Sequence, residues 1–318
     1  MNGLEARLEA ELEDEAGPLR VGIIGCGRIA QHGYVPAIAG CDAVEVVALA
    51  DPVGRRCEML ARACVLEPST YTDARALIDD KLVEAVIVAS PAGEHLAAVR
   101  LAAATRLPCL VEKPPTPDAA SARELAALEP RPWIGFNRRF QQGLELIDQI
   151  PVRGRLELEL ELRYRRASWR AHTVCDNALL DLGPHLIDLA LLLAGDGDVI
   201  SAVTSPERAE LLLELERGSA RIRCATDRSH LERAVVRAGG LEVAASRGPG
   251  LAGATVARLR RGEHPLVASL RSQLEAFATA ARGGDPGLLA TADDGVRVME
   301  LVKAAAALEM TMAEAQAA

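Results

Sequence analysis

The sequence predicts an α/β protein in which a doubly wound parallel sheet is followed by an α+β region with an open, mainly antiparallel sheet. Between residues 19 and 132, short apolar runs alternate with segments that have helical spacing. After residue 132 the runs alternate apolar and polar residues, and helical patterns return near the end. Continuous apolar runs are typical of parallel strands buried on both faces, whereas strict alternation is typical of strands buried on one face.

Four apolar runs predict the parallel sheet. They are followed by Gly25, Asp51, Ser90 and Glu112, of which the last three are polar. In parallel sheets covered by helices, ligands bind at the carboxyl ends of the strands. We therefore expect these four residues to lie near a ligand site. The runs are Val21–Ile24, Val44–Ala50, Ala85–Ala89 and Cys109–Val111.

The second region begins with a strictly alternating segment, Arg153–Arg165. Its leucines and Tyr164 point to one side, while its glutamates and arginines point to the other, which predicts a half-buried strand. We divide the chain into a polar leader (residues 1–18), a parallel-sheet domain (19–132) and an α+β domain (133–318). Further strands are predicted at Glu210–Glu216, Ser219–Cys224, Ala234–Ala238 and Leu241–Ala245, and helices at Leu266–Ala281 and Asp293–Met312.

Composition excludes several classes of protein. The chain has 36 Lys and Arg against 45 Asp and Glu, a net charge of −9, and 3% aromatic residues, so neither a basic nor a stacking surface for nucleic acid is expected. No apolar stretch reaches the roughly 18 residues that cross a bilayer, and the Glu-rich start lacks a secretory signal. Seven scattered cysteines without a Cys-x-x-Cys pair favour reduced, cytoplasmic thiols. We expect no metal, because four histidines lack a second ligand at metal spacing: His32, His172, His230 and His264.

A glycine turn follows the first apolar run. Its sequence is Gly25-Cys26-Gly27-Arg28-Ile29-Ala30, a G-x-G-x-x-A pattern between a strand and a helix-like segment. Gly25 permits the tight turn, Gly27 lets the backbone approach a pyrophosphate, and Ala30 lets the helix pack on the strand. Asp51 ends the second run, where it can bind the adenosine ribose of a dinucleotide. The pattern favours a Rossmann domain that binds NAD, although the nearby pair Arg55-Arg56 leaves NADP open, and a glycine turn without a dinucleotide is the alternative.

Further motifs follow in order, and together they carry a resemblance. They are Ser90-Pro91 with His95, Glu112-Lys113-Pro114, Gly135-Phe136-Asn137-Arg138-Arg139-Phe140, and Asp181-Leu182-Gly183-Pro184-His185 with Asp188. With the glycine turn, they make the chain resemble the Gfo/Idh/MocA family of oxidoreductases over nearly all of residues 20–315. The resemblance implies a Rossmann domain and an α+β domain for substrate binding and oligomerisation. It also implies NAD(P)-dependent hydride transfer at a secondary alcohol of a sugar, polyol or related small molecule, in a homo-dimer or homo-tetramer.

The resemblance also assigns residue roles. Lys113 would hydrogen-bond the reacting oxygen, His185 would be the general acid/base, and Asp181 would orient His185 or contact the substrate. These roles suit the chemistry, because the hydroxyl proton of an alcohol leaves as its hydride leaves, and a histidine titrates near neutrality. The Lys-Pro bond in this motif is often cis in the family. The cofactor-binding residues implied in this way are Gly25, Gly27, Arg28, Ile29, Ala30, Asp51, Ser90, Pro91, His95, Glu112, Lys113 and Asn137.

Several of these residues have structural alternatives. His185 could be a buried core histidine, Asp181 could cap its helix, and His95 could be structural. We interpret Asp188 as structural. The chain departs from the family at Pro184, and also at Cys175-Asp176-Asn177, where relatives are often glycine-rich. A basic segment precedes the Asp181 motif and contains Arg163, Arg165, Arg166, Arg170 and His172.

One hypothesis is that the arginines of this segment bind a carboxylate or phosphate of the substrate. The alternative is that they form the charged, solvent-exposed face of a sheet and pair with glutamates.

Three functions remain open at this point. The first is an NAD-dependent sugar or polyol dehydrogenase, or a ketone reductase in the reverse direction. The second is a glycoside hydrolase of the same family that holds NAD tightly. The third is a non-catalytic sensor of a cofactor or metabolite, which the presence of Lys113, Asp181 and His185 disfavours because a sensor needs no acid/base group.

Overall fold

The computed structural model describes residues 17–64, 67–141, 154–169, 177–247 and 264–317. They form two compact units that are interleaved along the chain. The described residues of the first unit fall within Met1–Val111, Leu128–Trp133 and Leu266–Leu289, and those of the second within Glu112–Ala127, Ile134–Pro265 and Ala290–Ala318. The leader lies outside the described residues up to residue 16, and the domain bounds 19–132 and 133–318 stay a prediction.

A six-stranded sheet forms around the predicted apolar runs. Its strand order is β3-β2-β1-β4-β5-β6, the order of a doubly wound dinucleotide-binding fold. The pairing is parallel along the centre of the sheet, where Ile23 of β1 lies beside Leu49 of β2 and Ile87 of β4. The parallel sheet predicted from the sequence is therefore confirmed. The strands are β1 (Leu19–Ile24), β2 (Val44–Ala50), β3 (Ser69–Tyr71), β4 (Ala85–Val88), β5 (Cys109–Glu112) and β6 (Trp133–Gly135).

Helices in the first unit cover apolar strands that are buried throughout. Every residue of β4 and β5 is buried, as expected for strands covered on both faces. The glycine turn leads into a π-helical turn, Ala30–Tyr34, before a short α-helix. Gly33 in that turn allows close packing, because a Cβ there would lie 2.7 Å from Leu270 Cδ1. The helices of this part are α1 (Val35–Ile38), α2 (Gly54–Ala61), α3 (Ala74–Asp79) and α4 (Ala92–Ala104).

A second six-stranded sheet belongs to the second unit. Its order is β12-β11-β7-β10-β9-β8, and its pairs are antiparallel except for the parallel pair of β7 and β10. The predicted open, mainly antiparallel sheet is therefore confirmed. The strands are β7 (Leu156–Arg165), β8 (Gly197–Thr204), β9 (Arg208–Leu215), β10 (Gly218–Ala225), β11 (Asp227–Ala238) and β12 (Leu241–Arg247).

One face of this sheet is apolar and packs on a helix. The leucines at 156, 158, 160 and 162 of β7 are at most 4% exposed, because their alternation places all four on the same face. The helix that carries Asp181 and His185 contacts β7 and β10. The remaining helices are α5 (Ala119–Ala126), α6 (Arg166–Trp169), α7 (Ala178–Ala194), α8 (Pro265–Ala281) and α9 (Ala292–Ala317), with a 3₁₀ turn at Asn137–Phe140.

Three findings on the described residues concern membrane spans, metal clusters and disulfides. Within the described ranges, no helix is long and apolar enough to cross a membrane. In the same part of the chain, no three histidine, cysteine or acidic side chains come together as a metal site would require. Six cysteines fall in described residues, and all six are free thiols. Cys175, in the approach to Asp181, lies outside them.

Candidate active site

The glycine turn at the carboxyl end of β1 has the shape that a pyrophosphate needs. Gly25 has a φ of +99°, and a Cβ there would lie 2.5 Å from the backbone nitrogen of Ser90. Only glycine fits this conformation and this close approach. At Gly27, nothing lies within 4 Å of where a Cβ would be. The turn therefore leaves open space above its backbone, into which a phosphate group fits.

Asp51, which directly follows β2, also stabilises the glycine turn. Its side chain is buried, and its Oδ2 accepts a hydrogen bond from the backbone N–H of Cys26 at 3.0 Å. Oδ1 accepts one from the N–H of Val53 at 2.8 Å and lies 3.6 Å from an Nη of Arg56. A carboxylate has about four acceptor positions, so these bonds leave capacity for ribose hydroxyls. The sequence alone does not indicate that Asp51 also shapes the turn.

The loop after β4 contributes Ser90, Pro91 and His95. The Ser90 Oγ is buried and has no hydrogen-bond partner among the described residues. His95 on α4 is 1% exposed, and its Nε2 donates to the Ser90 carbonyl oxygen at 2.7 Å. His95 thus fixes this loop, which supports its structural alternative. The orphaned Ser90 hydroxyl offers a polar group to a ligand, because buried hydroxyls are seldom left without a partner.

In the second unit, Lys113 is held directly against the helix that carries Asp181. The Lys113-Pro114 peptide bond is cis, and Glu112 Oε2 accepts a hydrogen bond from the Lys113 backbone N–H at 3.1 Å. The Lys113 Nζ donates to the Asp181 carbonyl oxygen at 2.8 Å and lies 3.6 Å from its Oδ1. The E-K-P motif and the Asp181 motif therefore meet, as the resemblance implies.

Asp181 is not the cap of its helix. Asn177 takes that place, and its side chain accepts a hydrogen bond from the N–H of Leu180 at 2.9 Å. Asp181 Oδ2 instead accepts hydrogen bonds from the Tyr164 hydroxyl at 2.6 Å and from an Nη of Arg166 at 2.9 Å. Burial alone would raise the pKa of Asp181, but Lys113 and these two donors bring it below its usual value. The carboxylate is therefore ionised at neutral pH.

Tyr164 and Arg166 contact Asp181 but were not predicted as site residues from the sequence. Tyr164 had been placed only on the apolar face of β7, and Arg166 only in the basic segment. A signal was present, because Tyr164 continues the face whose leucines pack on α7. Within that segment, Arg163 lies 3.4 Å from Glu161, as the charged-face alternative expects. Arg170 and His172 lie outside the described residues.

His185 is a buried, neutral histidine. Its side chain is 6% exposed, and its Nδ1 has no hydrogen-bond partner within the described part of the chain. The ring of Phe136 meets it edge-on, with centroids 6.4 Å apart. Burial lowers the pKa of His185 well below its usual value, and the charges of Lys113 and Arg138 lower it further. A neutral imidazole can accept a proton. The side chain of Asp181 accepts its hydrogen bonds from Tyr164 and Arg166, and the implied role of orienting His185 or contacting the substrate stays a prediction.

An arginine–aspartate pair anchors the helix that carries these residues. Asp188 of α7 is fully buried and accepts hydrogen bonds from Arg139 Nε at 2.9 Å and Nη2 at 2.5 Å. Burial raises the pKa of Asp188 to about 6, although Arg139 opposes the shift. Asn137, in the same 3₁₀ turn as Arg139, is 3% exposed. Asp188 is thus structural, as the sequence analysis interpreted it.

Comparison with known proteins points to one family. A model of an "oxidoreductase family, NAD-binding Rossmann fold" matches residues 19–131. The chain is 31% identical over 325 residues to "Rhizopine catabolism protein MocA" of Rhizobium meliloti, covering 91% of this chain and 94% of that protein. It is 32% identical over 149 residues to an "Inositol 2-dehydrogenase" of Streptomyces avermitilis, covering 45% of this chain and 43% of that protein.

Solved structures share the fold at low sequence identity. The myo-inositol dehydrogenase of Lactobacillus casei, solved in complex with NAD(H) and myo-inositol, superposes with a TM-score of 0.72 at 20% identity. The match covers 92% of this chain and 95% of that one. A myo-inositol dehydrogenase of Corynebacterium glutamicum gives a TM-score of 0.74 at 20% identity, over 92% and 97% of the two chains.

Proposed function

The chain belongs to the Gfo/Idh/MocA family of NAD-binding oxidoreductases, and on that premise we propose that it oxidises a secondary alcohol of a cyclic polyol or sugar, or reduces the corresponding ketone. Relatives that are named inositol 2-dehydrogenase and D-apiose dehydrogenase support this substrate class. The observation that carries the proposal is the meeting of Lys113 with Asp181 in the unit that holds a buried, neutral His185.

The residues of the first unit fit a dinucleotide. The open space at Gly27 and the positive φ of Gly25 suit a pyrophosphate on the turn, and Asp51 has acceptor positions left for ribose hydroxyls. Asp51 also disfavours the 2′-phosphate of NADP, so NAD is the proposed physiological cofactor. When bound, NAD supplies the hydride acceptor.

The residues of the second unit would handle the alcohol and its proton. Lys113 donates a hydrogen bond to the reacting oxygen, and its positive charge stabilises the negative charge that develops there. His185 is neutral and accepts the hydroxyl proton at an imidazole nitrogen. Its burial keeps bulk water from competing for that proton.

The direct test is a panel of inositols, sugars and sugar alcohols with NAD, followed by NADH absorbance. We expect at least one polyol to be oxidised, with Lys113→Met and His185→Gln each losing a factor of roughly 100 or more in kcat/KM. Both variants should still bind NADH, which fluorescence titration measures. Tight, co-purifying NAD with no net reduction during glycoside cleavage would replace this function with the hydrolase. Saturable NADH binding without turnover of any compound would favour the sensor.

Two further expectations accompany this function. We propose that the chain forms a homo-dimer or homo-tetramer, as the family resemblance implies, and that it works in the cytoplasm, which its free cysteines support. Light scattering on the eluting peak of a sizing column measures the mass of the particle. A single monomeric species of 33.7 kDa would contradict the oligomer.

A further inference from the structure

Asp181 has two hydrogen-bond donors that lie outside the motifs on which the resemblance rests. Its Oδ2 receives the Tyr164 hydroxyl from the end of β7 and an Nη of Arg166 from the start of α6. Its Oδ1 and its carbonyl oxygen face the Lys113 Nζ. Neither Tyr164 nor Arg166 belongs to the motifs that contain Lys113, Asp181 and His185, so a role for these two donors rests on the geometry alone.

We propose that Tyr164 and Arg166 are positioning residues, which hold the ionised carboxylate of Asp181 toward Lys113, so that Asp181 acts on Lys113 and not on His185. The proposal rests on the proposed function, because Lys113 matters only if it meets the reacting oxygen. Its basis is geometric. Both donors reach the same oxygen from β7 and α6, and this leaves the other oxygen turned to Lys113.

The strand explains why Tyr164 reaches this carboxylate. Leu162 and Tyr164 lie on the face of β7 that packs on α7, because side chains two residues apart share a face. Leu162 fills the core at 3% exposure, and Tyr164 stands one step nearer the strand's end. A tyrosine offers an apolar ring for the core and a hydroxyl at its tip. A phenylalanine would therefore keep the packing and remove only the hydroxyl, with its hydrogen bond to Asp181 and its interaction with Arg166.

Arg166 adds a charge to the same oxygen. Its backbone N–H donates to the carbonyl oxygen of Thr226 at 2.8 Å, which fixes its place beyond the end of β7. Its side chain is 25% exposed, so its ion pair with Asp181 is only partly open to water. Hydrogen bonds between charged groups are shorter and stronger than neutral ones. Arg166 thus supplies both direction and charge.

Among the described residues, the groups that face Asp181 favour or tolerate its ionised form. Lys113 and Arg166 are cations, Tyr164 is a neutral donor, and Cys224 on β10 is a buried thiol whose pKa burial raises. Burial of Asp181 opposes ionisation. Removing a donor to the charged form raises the pKa of a carboxyl. Loss of the Tyr164 hydroxyl or of Arg166 should therefore raise the pKa of Asp181, so that its carboxyl becomes protonated at a pH at which the protein is still folded.

The chain has a convenient reporter for this change, since Lys81, Lys113 and Lys303 are its only lysines. Protein grown with ¹³C-lysine gives three side-chain signals, and the signal missing in Lys113→Arg identifies Lys113. In the wild-type protein, we expect no acid inflection of this signal above about pH 4. In Tyr164→Phe and Arg166→Gln, we expect an inflection that lies higher by roughly one pH unit. Arg166→Lys should move it less, because it keeps the charge.

Matched controls separate this effect from general damage. Tyr71→Phe removes another hydroxyl that donates to an aspartate, Asp80, and Arg221→Gln removes an arginine that pairs with Glu210 on the outer face of the second sheet. Both should leave the Lys113 signal unchanged. Identical titration of the Lys113 signal in wild type, Tyr164→Phe and Arg166→Gln would overturn the proposal. This arm needs no substrate, so it stays informative even if no polyol is oxidised.

With an active substrate, kinetics give the second arm. Tyr164→Phe should lower kcat about tenfold, with the KM and the NADH dissociation constant within about twofold of wild type. The low-pH limb of its kcat/KM profile should move up together with the Lys113 signal. A loss confined to KM, or an unmoved profile, would assign Tyr164 a merely structural or substrate-binding role. Failure of the proposed function would instead show as inactive wild type with an intact Lys113 titration difference.

Discussion

Two glycines in the turn after β1 are glycine for different physical reasons. Gly25 has a φ of +99°, and a Cβ there would lie 2.5 Å from the Ser90 nitrogen and 2.7 Å from the Ala89 carbonyl carbon. Those atoms belong to the backbone directly after β4, so they cannot move aside easily. Gly27 has neither a positive φ nor a neighbour within 4 Å. The fold needs the first glycine, whereas only a ligand would need the second.

This contrast predicts two different defects. Gly25→Ala should lower the free energy of unfolding by at least about 2 kcal/mol, because strain and a backbone clash add. The free energy of unfolding of Gly27→Ala should lie within about 0.5 kcal/mol of the wild-type value. This variant should nevertheless bind NADH at least roughly tenfold more weakly, because the added Cβ occupies the space of the phosphate. Urea unfolding and fluorescence titration measure the two quantities. Wild-type NADH affinity in Gly27→Ala would show that no pyrophosphate lies on this turn.

At the residue scale, the sequence predicts which residues carry motifs but not all of their contacts. Lys113 and Asp181 are predicted together because their motifs occur in order, and the structure brings them into contact. The bond from the Cys26 N–H to Asp51 is invisible in the sequence, since it joins two turns 25 residues apart. The alternating pattern predicts the face of the strand on which Tyr164 lies, but it does not predict which residue the Tyr164 side chain contacts.

At the scale of elements, α7 is fixed by a buried ion pair outside the candidate site. Arg139 in the Asn137–Phe140 turn donates to Asp188 through two nitrogens, and both side chains are at most 8% exposed. Asp294 adds a second carboxylate 3.3 Å from the same guanidinium. Removing one partner of such a pair leaves an uncompensated buried charge, which costs far more than an exposed pair contributes.

Arg139→Met should therefore lower the free energy of unfolding by about 3 to 5 kcal/mol at pH 8. Burial raises the folded-state pKa of Asp188 to about 6, so ionisation of this carboxyl costs stability as the pH rises from its ordinary pKa through 6. At about pH 5 the carboxyl is mostly protonated, and removal of Arg139 then leaves little buried negative charge. The loss of stability in Arg139→Met should therefore be smaller at about pH 5 than at pH 8. The double variant Arg139→Met/Asp188→Leu should recover most of the loss. An equal defect in Arg221→Met, whose pair is exposed, or one that does not vary with pH, would contradict this account.

The strands that the sequence missed share one cause, which is the lack of a readable period. β3 and β6 have three residues each, too few to show any pattern. β8 is longer, but its register shifts between Val199 and Ser201, and Ile200 and Val203 are 54% and 73% exposed. A bulge breaks the period of two, so apolar residues turn outward and alternation is lost. By contrast, β7, β9 and β10 keep the period and were predicted. The register of β11 also shifts, between Asp227 and Leu231, and only its end at Ala234–Ala238 was predicted.

At the scale of the whole molecule, the change from continuous to alternating apolar runs predicts two sheets of different kinds, and both are present. The reason is general, because a parallel sheet must be covered on both faces and an antiparallel one need not be. The interleaving of the two units along the chain has no such signal. Helix α8, which follows the second sheet in the sequence, contributes to the first unit, and nothing in its amphipathic pattern indicates which partner it covers.

Cofactor choice is a property of the whole protein that thermal unfolding can measure. A ligand at 100 times its dissociation constant stabilises the folded state by about 2.7 kcal/mol, which for a chain of this length raises Tm by about 4 °C. NADH should reach this shift at a lower concentration than NADPH, because the Asp51 carboxylate disfavours a 2′-phosphate. Arg56, 3.6 Å from Asp51 Oδ1, is the group that could offset this preference. If NADPH stabilises at least as well as NADH, Arg56→Gln should reverse the order, and an order that stays with NADPH would refute the role given to Asp51.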